Sequence, residues 1–374
     1  MSSKPHHPDN GARAFLARIE ETGFVAHYSM LGEGNIRQYD WEKLEQKLTG
    51  LEKALWRFLL LGQPLKRAEA TRVLGKDALG FLLRHGLCSV SQGKLSMGNI
   101  RPVRLWGLTF FVERGIATNA YVGDDTKALL GIVPSLAGGR CLSLYTAGGI
   151  EVMPLVAGAK AEVNFAWPKA NESILRANLE LNSVLSPRGS ASETPLRSWR
   201  LSRNGSGAYD LIVSNPPCYI QAPGVKLPKF AAGGPDGLKC VRRVLESASK
   251  ELAPSPAGLL LMTFAFCADM EDQAMEQRLR AMLAPYGLNY LIAVCSKLWM
   301  EPGVPIFNHL VSTAQTAGAG KVDALVNKTM AHIQRHKLAA VHLLTARFWK
   351  SEPGQPLDQQ ITNYSDSYYG TWTV

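Results

Sequence analysis

Strands and helices alternate along the chain between residues 140 and 295. Short apolar segments fit strands at residues 141–144, 161–165, 209–214, 258–266 and 290–295. Between them, apolar side chains recur at helical spacing at residues 171–181, 238–252 and 270–283. Because such an alternation covers a parallel sheet with helices on both faces, the pattern predicts an α/β fold.

The ends of these strands indicate where a ligand binds. Ligands of open parallel sheets lie in the crevice outside the carboxyl ends of the strands. This rule selects the loops that follow Leu144, Val163 and Val213. The segment YDLIVS, residues 209–214, is the clearest strand, and we expect it in the interior of the sheet.

The first 110 residues lack this alternation. Helices are predicted at residues 12–23, 41–61, 68–74 and 78–85, and a hairpin is predicted at residues 87–97. Helices followed by a hairpin are typical of a winged-helix module, but residues 77–85, which would read DNA, are mostly Leu, Phe and Ala. The sequence thus favours a helical, winged-helix-like cap or lid at residues 1–110 and a ligand-binding domain at residues 111–374.

Asn215, Pro216 and Pro217 directly follow the strand at residues 209–214. Two consecutive prolines donate no backbone hydrogen bond and fix their own φ, so this loop is rigid. It presents the Asn215 amide and the Pro216 carbonyl as acceptors that suit the N–H groups of an amine or amide. We therefore predict that Asn215 and Pro216 hold a reacting nitrogen.

The segment DLIVSNPPCYI, residues 210–220, resembles the motif of the class I S-adenosylmethionine (SAM) methyltransferases that alkylate amino nitrogens, the adenine-N6 and glutamine-N5 types. Upstream, LSLYTAGGIE at residues 142–151 is similar to the glycine-rich loop of that family. RANLELN at residues 176–182 is similar to its helix ending in NxxLN, and YVGDDT at residues 121–126 is similar to the loop that reaches the amino acid end of SAM. The resemblance covers about residues 115–300 and implies a Rossmann-like class I methyltransferase sheet.

The resemblance also implies a set of SAM-binding residues. They lie on the approach loop, on the glycine-rich loop and at the end of the second strand: Tyr121, Asp125, Thr126, Tyr145, Thr146, Ala147, Gly148, Gly149, Asn164, Phe165 and Trp167.

Several positions depart from the family pattern. Ser143 stands where the family has an acid, and Tyr145 and Ala147 replace two glycines of the loop. Asn164 stands where an acid normally holds the ribose at the tip of the second strand, and an amide lacks the charge assistance of a carboxylate. We therefore expect SAM to be held differently here.

The aromatic residues near the loop have two interpretations. Tyr145, Phe165 and Trp167 could contact adenine or face the sulfonium, because a desolvated cation over an aromatic ring gains about 2 kcal/mol. They could instead only fill the space that the glycines leave.

Cys218 replaces the ring that, in the family, stacks on a planar acceptor. Its presence argues against a planar base or amide as substrate, unless Tyr219, our third candidate catalytic residue, supplies the ring from the next position. We interpret Cys218 as a small apolar filler rather than a nucleophile, because no histidine is near it in sequence.

Two reactions fit a SAM-dependent enzyme that forms a C–N bond. In the first, the amine of SAM attacks its own Cγ and gives azetidine-2-carboxylate and methylthioadenosine. The degenerate glycine-rich loop resembles that of azetidine-2-carboxylate synthases, which are methyltransferase-like SAM cyclases of specialised metabolism. In the second, methyl transfer occurs to a separate amine or amide. We favour cyclisation, because Cys218 removes the platform for a planar acceptor.

Two hypotheses from other classes stay open. The chain could be a nucleic-acid-binding protein with a decayed methyltransferase fold, or a scaffold that binds no SAM. Its formal net charge of +10, from 41 basic and 31 acidic residues, would suit phosphate. The basic residues are scattered, however, so we expect a small-molecule substrate rather than nucleic acid.

No metal site and no membrane segment are predicted. The six cysteines lie at least 22 residues apart, and the pair His332 and His336 lacks the glutamate of a zincin motif. The longest apolar run, residues 259–268, is shorter than the roughly 18 residues of a span, and no leader opens the sequence. We expect a cytoplasmic protein with reduced thiols. The aromatic residues at 364, 368, 369 and 372 are compatible with a homodimer contact.

Overall fold

The computed structural model describes residues 9–26, 38–113, 120, 122–133, 139–145, 148–157, 162–166, 172–183 and 208–365. No helix within these ranges is long and apolar enough to cross a bilayer. All six cysteines fall within them and are free thiols.

The N-terminal part is helical, as predicted. Its helices are α1 (Asp9–Glu21), α2 (Gln38–Glu45), α3 (Gly50–Leu59), α4 (Arg67–Leu74) and α5 (Lys76–Arg84). The short strands β1 (Leu65–Lys66), β2 (Ser89–Ser91) and β3 (Lys94–Ser96) pair in the antiparallel order β1-β3-β2. Helices followed by a small hairpin sheet give the winged-helix-like pattern that the sequence indicates.

The single helix predicted at residues 41–61 is wrong. The chain leaves the helical conformation between α2 and α3, and Gly50 has a left-handed φ of +56°. Leu48 stays buried in this connection. The apolar spacing therefore continues across the break, and periodicity could not reveal it.

A second hairpin follows the N-terminal helices. Strands β4 (Ile100–Leu105) and β5 (Leu108–Glu113) pair with each other in antiparallel register. The predicted domain boundary at residue 110 falls inside β5. This hairpin connects the N-terminal helices to the second part of the molecule, because asparagine side chains of the second part bind the backbone of β5.

The second part is the predicted α/β unit. Its elements are α6 (Asp124–Ile132), β6 (Arg140–Leu144), α7 (Met153–Ala157), β7 (Glu162–Ala166), α8 (Glu172–Ser183), β8 (Leu211–Ser214), α9 (Lys239–Glu251), β9 (Leu259–Ala268), α10 (Asp272–Leu283), β10 (Leu288–Trp299), α11 (Pro305–Thr316), α12 (Val322–His336), β11 (Ala340–Lys350) and β12 (Gln359–Asn363). Seven of the described strands form one sheet in the order β12-β10-β11-β9-β8-β6-β7.

Most of this sheet is parallel. β6 pairs with β7 and β8, and β8 pairs with β9, all in parallel register. β11 runs antiparallel between β9 and β10, and β12 extends the edge beside β10. β8 lies in the interior, and its four residues are all buried, which confirms the prediction for the segment that precedes Asn215.

The strand order reverses between β6 and β8. From β6 the chain passes to β7 on one side and later returns to β8 on the other side. Such a switch point opens a crevice at the carboxyl ends of the strands. Ser214 Oγ donates a hydrogen bond to the Leu144 carbonyl at 2.9 Å across this point, so the two strand ends are held together.

Helix α8 joins the second hairpin to the sheet. The Asn178 side chain accepts from Phe111 N at 2.6 Å and donates to Phe111 O at 3.1 Å. Asn182 Nδ2 donates to Thr109 O at 2.9 Å. The resemblance had matched these asparagines to the NxxLN helix, and here they bind the backbone of β5.

A buried ion pair adds to this contact. Glu180 of α8 is 5% exposed and lies 2.6 Å from Arg84 Nη2 and 2.7 Å from His85 Nε2. Because a buried carboxylate is costly unless it is paired, these contacts favour one arrangement of the N-terminal helices against α8.

Candidate active site at the sheet switch point

The Asn215–Pro216–Pro217 loop leaves β8 at the switch point. Both prolines are buried. Further along, Tyr219 N donates to Ala231 O at 3.1 Å, and Gly233 N donates to Tyr219 O at 2.9 Å. The loop is therefore held by a second backbone segment, as well as by its own prolines.

Gly237 shows how closely that second segment approaches. It has a left-handed φ of +79°, and a Cβ at this position would lie 2.5 Å from the Cys218 carbonyl oxygen. Only glycine fits this position without displacing the backbone that follows Asn215.

Asp125 and Asn215 meet in the crevice, although 90 residues separate them in sequence. Asn215 Nδ2 donates a hydrogen bond to Asp125 Oδ2 at 2.9 Å. Asp125 lies in the first turn of α6, and its Oδ1 accepts from Thr126 N at 2.8 Å. The positive end of the helix dipole favours a carboxylate there. The fold thus brings together the approach loop and the loop after β8, both of which the sequence singled out.

Thr126 has a local role. Its side chain is buried, and Gly123 N donates to its Oγ1 at 3.4 Å at the start of α6. This contact caps the helix, so Thr126 orients the turn that carries Asp125.

Glu151 is the site residue that the sequence analysis missed. It lies in a single helical turn, residues 150–152, directly after the glycine-rich loop, and is 5% exposed. Burial raises its pKa to about 7, and the nearby Asp125 charge also raises it. Hydrogen bonds from its own backbone and from the Asn215 side chain act in the opposite direction. The available signal was an acid directly after the glycines, which the motif comparison treated only as part of the loop.

Asp125, Asn215 and Glu151 therefore form one cluster, which we call the acid–amide cluster. Its carboxyl groups come from two different elements, and its amide comes from the end of β8. An ionised carboxylate accepts hydrogen bonds and favours a nearby cation. The cluster is consequently suited to an ammonium group, and Glu151 is suited to exchange a proton near neutral pH.

Tyr145 has a left-handed backbone conformation, which glycine adopts more readily. Its φ is +59°, in the left-handed region that a bulky residue rarely adopts. Its side chain hydrogen-bonds Arg243 and Cys240 of α9, and burial raises its pKa. The ring therefore lies beside the first turns of α9, at the carboxyl end of β6.

Gly149 and Phe165 belong to the core. Gly149 has a φ of +67°, and a Cβ there would lie 2.5 Å from Leu175 Cδ1 and 2.9 Å from Met153 Cε. Phe165 is 1% exposed and packs against the same glycine. This glycine therefore makes room for the packing of α7 and α8. The burial of Phe165 favours the space-filling interpretation of that ring.

Gly148 connects the glycine-rich loop to α8. Its carbonyl accepts a hydrogen bond from Asn178 Nδ2 at 3.0 Å, and Asn178 also binds the backbone of Phe111. One buried amide therefore holds the loop and the second hairpin together.

Asn164 does not lie at the tip of a strand. β7 continues to Ala166, and Asn164 pairs with Leu142 in the middle of the ladder. Its side chain is 3% exposed. The predicted position at the strand tip is wrong, because the apolar pattern extends two residues further than the motif comparison indicated.

Cys218 and Tyr219 follow the prolines. Burial raises the pKa of the Cys218 thiol to about 12, so it is not ionised at neutral pH, in agreement with the filler interpretation. Burial also raises the pKa of Tyr219, and the neighbouring Cys218 and Asp125 add to this shift. Tyr219 is therefore close enough to Asp125 for the Asp125 charge to raise its pKa.

Four of the predicted SAM-binding residues, Tyr121, Thr146, Ala147 and Trp167, lie outside the described residues. His332 of the histidine pair is 5% exposed, and its Nε2 lies 2.6 Å from the Pro235 carbonyl oxygen. Glycine-rich turns bring that carbonyl to α12, a contact that helical periodicity cannot show.

Comparison with known proteins gave matches only among solved structures. No protein-family model matches the chain, and no curated protein matches it. TYW2 of M. jannaschii in complex with AdoMet is 11% identical, with a TM-score of 0.36 over 68% of this chain and 87% of that chain. TYW2 of P. horikoshii in complex with MeSAdo is 11% identical, with a TM-score of 0.37 over 84% and 100% of the two chains.

A putative sarcosine dimethylglycine methyltransferase from Galdieria sulphuraria is 14% identical, with a TM-score of 0.33 over 60% of this chain and 81% of that chain. Likenesses at this level say nothing about the activity of this chain. The strand order and the antiparallel β11 establish the fold independently. The chain has the predicted α/β fold with a Rossmann-like, parallel-dominated central sheet.

Proposed function

We propose that this protein is a SAM-dependent enzyme that forms a C–N bond at the nitrogen of a small-molecule amine. The observation that supports this proposal is the acid–amide cluster at the switch point of the sheet. It combines the nitrogen-binding Asn215 with two carboxyl groups, Asp125 and Glu151. A cluster of this charge favours a ligand that carries positive charges, and SAM carries both a sulfonium and an ammonium group.

Each residue of the cluster has a role in this proposal. When bound, SAM supplies an electrophilic carbon next to its sulfonium. Asn215 and the Pro216 carbonyl hold the N–H groups of the nucleophile, and Asp125 stabilises its positive charge while it binds. Glu151 accepts the proton that the ammonium must lose before its nitrogen can attack. A pKa of about 7 for Glu151 is matched to that task at neutral pH.

The remaining predicted residues complete the proposed SAM site. Asp125 lies in the first turn of α6, and Tyr145 directly follows β6. Gly148 and Gly149, at the end of the glycine-rich loop, pack against buried side chains of the neighbouring helices. Asn164 is placed too far inside its strand for the ribose contact that the resemblance implies, so a family-like pose of the ribose is not part of the proposal.

We favour the intramolecular reaction, which would give azetidine-2-carboxylate. The small Cys218 follows the prolines where the family has a ring, so an aliphatic nitrogen fits better than a planar one. In this reaction the N–Cγ bond forms while the S–Cγ bond breaks, and the sulfur leaves as neutral methylthioadenosine. The ammonium proton goes to Glu151. Because nucleophile and electrophile belong to one molecule, the entropy of bringing two molecules together is not lost.

The alternative within the same proposal is methyl transfer to a separate amine. The acid–amide cluster would hold that amine in the same way, and S-adenosylhomocysteine would be the second product. The crevice chemistry alone does not separate the two reactions, because both require a bound and deprotonated nitrogen.

Incubation of the purified protein with SAM alone, followed by mass spectrometry, tests the proposal. Methylthioadenosine with a cyclic imino acid supports cyclisation. Intact SAM that is converted to S-adenosylhomocysteine only after an aliphatic amine is added supports methyl transfer. Absence of SAM binding by calorimetry would contradict both. DNA binding with a steep salt dependence would instead favour the nucleic-acid hypothesis.

A further inference from the structure

The Asn215 side chain has two chemically different ends. Its NH2 group only donates hydrogen bonds, whereas its oxygen Oδ1 only accepts them. An ionised carboxylate only accepts, so it can pair only with the NH2 end. Asp125 Oδ2 lies 2.9 Å from Asn215 Nδ2 and therefore selects that end of the amide.

Asp125 is itself held in place. Its other oxygen accepts from Thr126 N at 2.8 Å, and Thr126 Oγ1 lies 3.5 Å from the same atom. These contacts fix the carboxylate in the first turn of α6, where the helix dipole also favours its charge. Asp125 can thus act on Asn215 as a rigid group.

Glu151 reaches the same amide from a different element. Glu151 is buried, which raises its pKa, and a hydrogen bond with the Asn215 side chain offsets part of that rise. The groups that face Glu151 are Asp125 from α6, Asn215 from the loop after β8 and the backbone of its own turn. The Asn215 amide therefore lies near carboxyl groups from two elements, and its NH2 end is bound to Asp125.

We propose that Asp125 is a positioning residue that orients the Asn215 amide so that Oδ1, and not the NH2 group, faces the substrate nitrogen, and that Glu151, besides accepting the proton, supports this orientation while it is ionised. The identity of that nitrogen rests on the proposed function, whereas the orientation of the amide is a property of the free protein. An amide turned the other way would direct donors at the N–H groups of the substrate and could not hold them.

Protonation of Glu151 weakens this orientation. A neutral carboxylic acid carries an O–H donor, which can bind Oδ1 and so favours the opposite rotamer of the amide. Since the pKa of Glu151 is about 7, the change falls between about pH 6 and 8.

The side-chain NH2 signals of Asn215 in the free protein test this proposal. They are identified in a proton–nitrogen NMR spectrum by their loss in Asn215→Ala. Between pH 5.5 and 8.5 we expect their chemical shifts to titrate with a midpoint near pH 7, and we expect the titration to be absent in Glu151→Gln. Shifts that do not change with pH, or that titrate equally in Glu151→Gln, would overturn the role of Glu151.

Turnover separates a positioning role from a structural one. In Asp125→Asn the amide can pair in either orientation, so we expect kcat to fall by about 10²-fold, a larger factor than the rise in the KM for SAM that loss of the Asp125 charge causes. The matched control is Asp323→Asn, which removes an exposed acid from the first turn of α12 and should leave kcat unchanged. Equal thermal stability of Asp125→Asn and the control, together with unchanged kcat in both, would overturn the role of Asp125. A wild-type protein that leaves SAM intact with and without an amine contradicts the proposed function, and the NMR titration still decides the orientation.

Discussion

At the scale of single residues, Asn215 is the group on which the site depends. It ends an interior strand and contacts a carboxylate that lies 90 residues away in sequence. Its side chain is partly exposed, so its removal leaves no large cavity in the core.

We predict that Asn215→Ala lowers turnover by about 10²- to 10³-fold, because a hydrogen bond made in the transition state is lost. The fold should be retained, as measured by circular dichroism and thermal unfolding. Asn363→Ala, on the exposed edge strand β12, is the control and should keep full turnover. Wild-type kinetics in a folded Asn215→Ala variant would refute the assigned role.

The raised pKa of Glu151 predicts how the free energy of unfolding depends on pH. Its pKa rises from 4.5 to about 7 on folding, so the folded state binds this proton more tightly than the unfolded state. Below about pH 4.5 Glu151 is protonated in both the folded and the unfolded state, so its titration does not change the free energy of unfolding. As pH rises from about 4.5 to 7 the free energy of unfolding falls, and the full cost, roughly 3 kcal/mol, is present above pH 7.

Glu151→Gln removes this titration. We therefore expect the variant to match the wild type near pH 4.5 and to gain stability over it by up to about 3 kcal/mol at pH 8, less what its lost hydrogen bonds contribute. Urea unfolding at the two pH values measures the difference. A stability difference that does not change with pH would show that Glu151 does not hold a proton in the folded state.

At the scale of elements, the glycine-rich loop is shaped by the helices behind it. Leu175 of α8 and Met153 of α7 occupy the space next to Gly149, and Asn178 binds the Gly148 carbonyl. These two glycines therefore depend on helix packing for their conformation before any ligand contacts them.

We predict that Gly149→Ala destabilises the protein by about 2 kcal/mol or more, because the methyl group overlaps Leu175 and the backbone is left-handed. Thermal or urea unfolding without ligand measures this loss. Gly131→Ala is the control. Gly131 lies in α6 with open space around it, so we expect this substitution to stabilise the protein by about 0.5–1 kcal/mol. Normal stability of Gly149→Ala, together with loss of SAM binding, would contradict this prediction.

At the scale of the whole molecule, one core continues across the predicted domain boundary. The rings of Phe15 and Phe81 pack against Phe111 of β5, with centroids 5.3 and 6.1 Å from it. The same cluster of buried residues includes Phe165 and Val213 from the sheet. Together with the contacts of Glu180 with Arg84 and His85, this core joins the N-terminal part, called the cap below, to the sheet.

We predict that the cap and the sheet unfold in one transition. Calorimetry should show a single peak whose calorimetric and van't Hoff enthalpies agree. Phe111→Ala should shift that peak to lower temperature without splitting it, since it removes a ring shared by both parts, at a cost of about 3–5 kcal/mol. Two separate peaks in the wild type would show that the cap folds independently.

Part of this structure is determined by local sequence alone. The strand at residues 211–214 and the Asn215–Pro216–Pro217 loop follow from an apolar run and from the fixed backbone of proline, which need no distant contact. The alternation of strands and helices likewise predicts a parallel sheet, and a parallel sheet predicts where its crevice lies. Tyr145 could be recognised as a glycine replacement because the loop motif surrounds it.

Other features were decided only by tertiary structure. Glu151 joins the site because folding buries it beside Asp125 and Asn215, and a pKa depends on burial and on charges that sequence spacing does not show. Gly149 is required because α7 and α8 meet there, and Asn164 lies inside its ladder because the register with β6 sets where β7 ends. The sequence determined the alternating strands and helices and the Asn215–Pro216–Pro217 loop, whereas long-range packing determined which charges surround that loop.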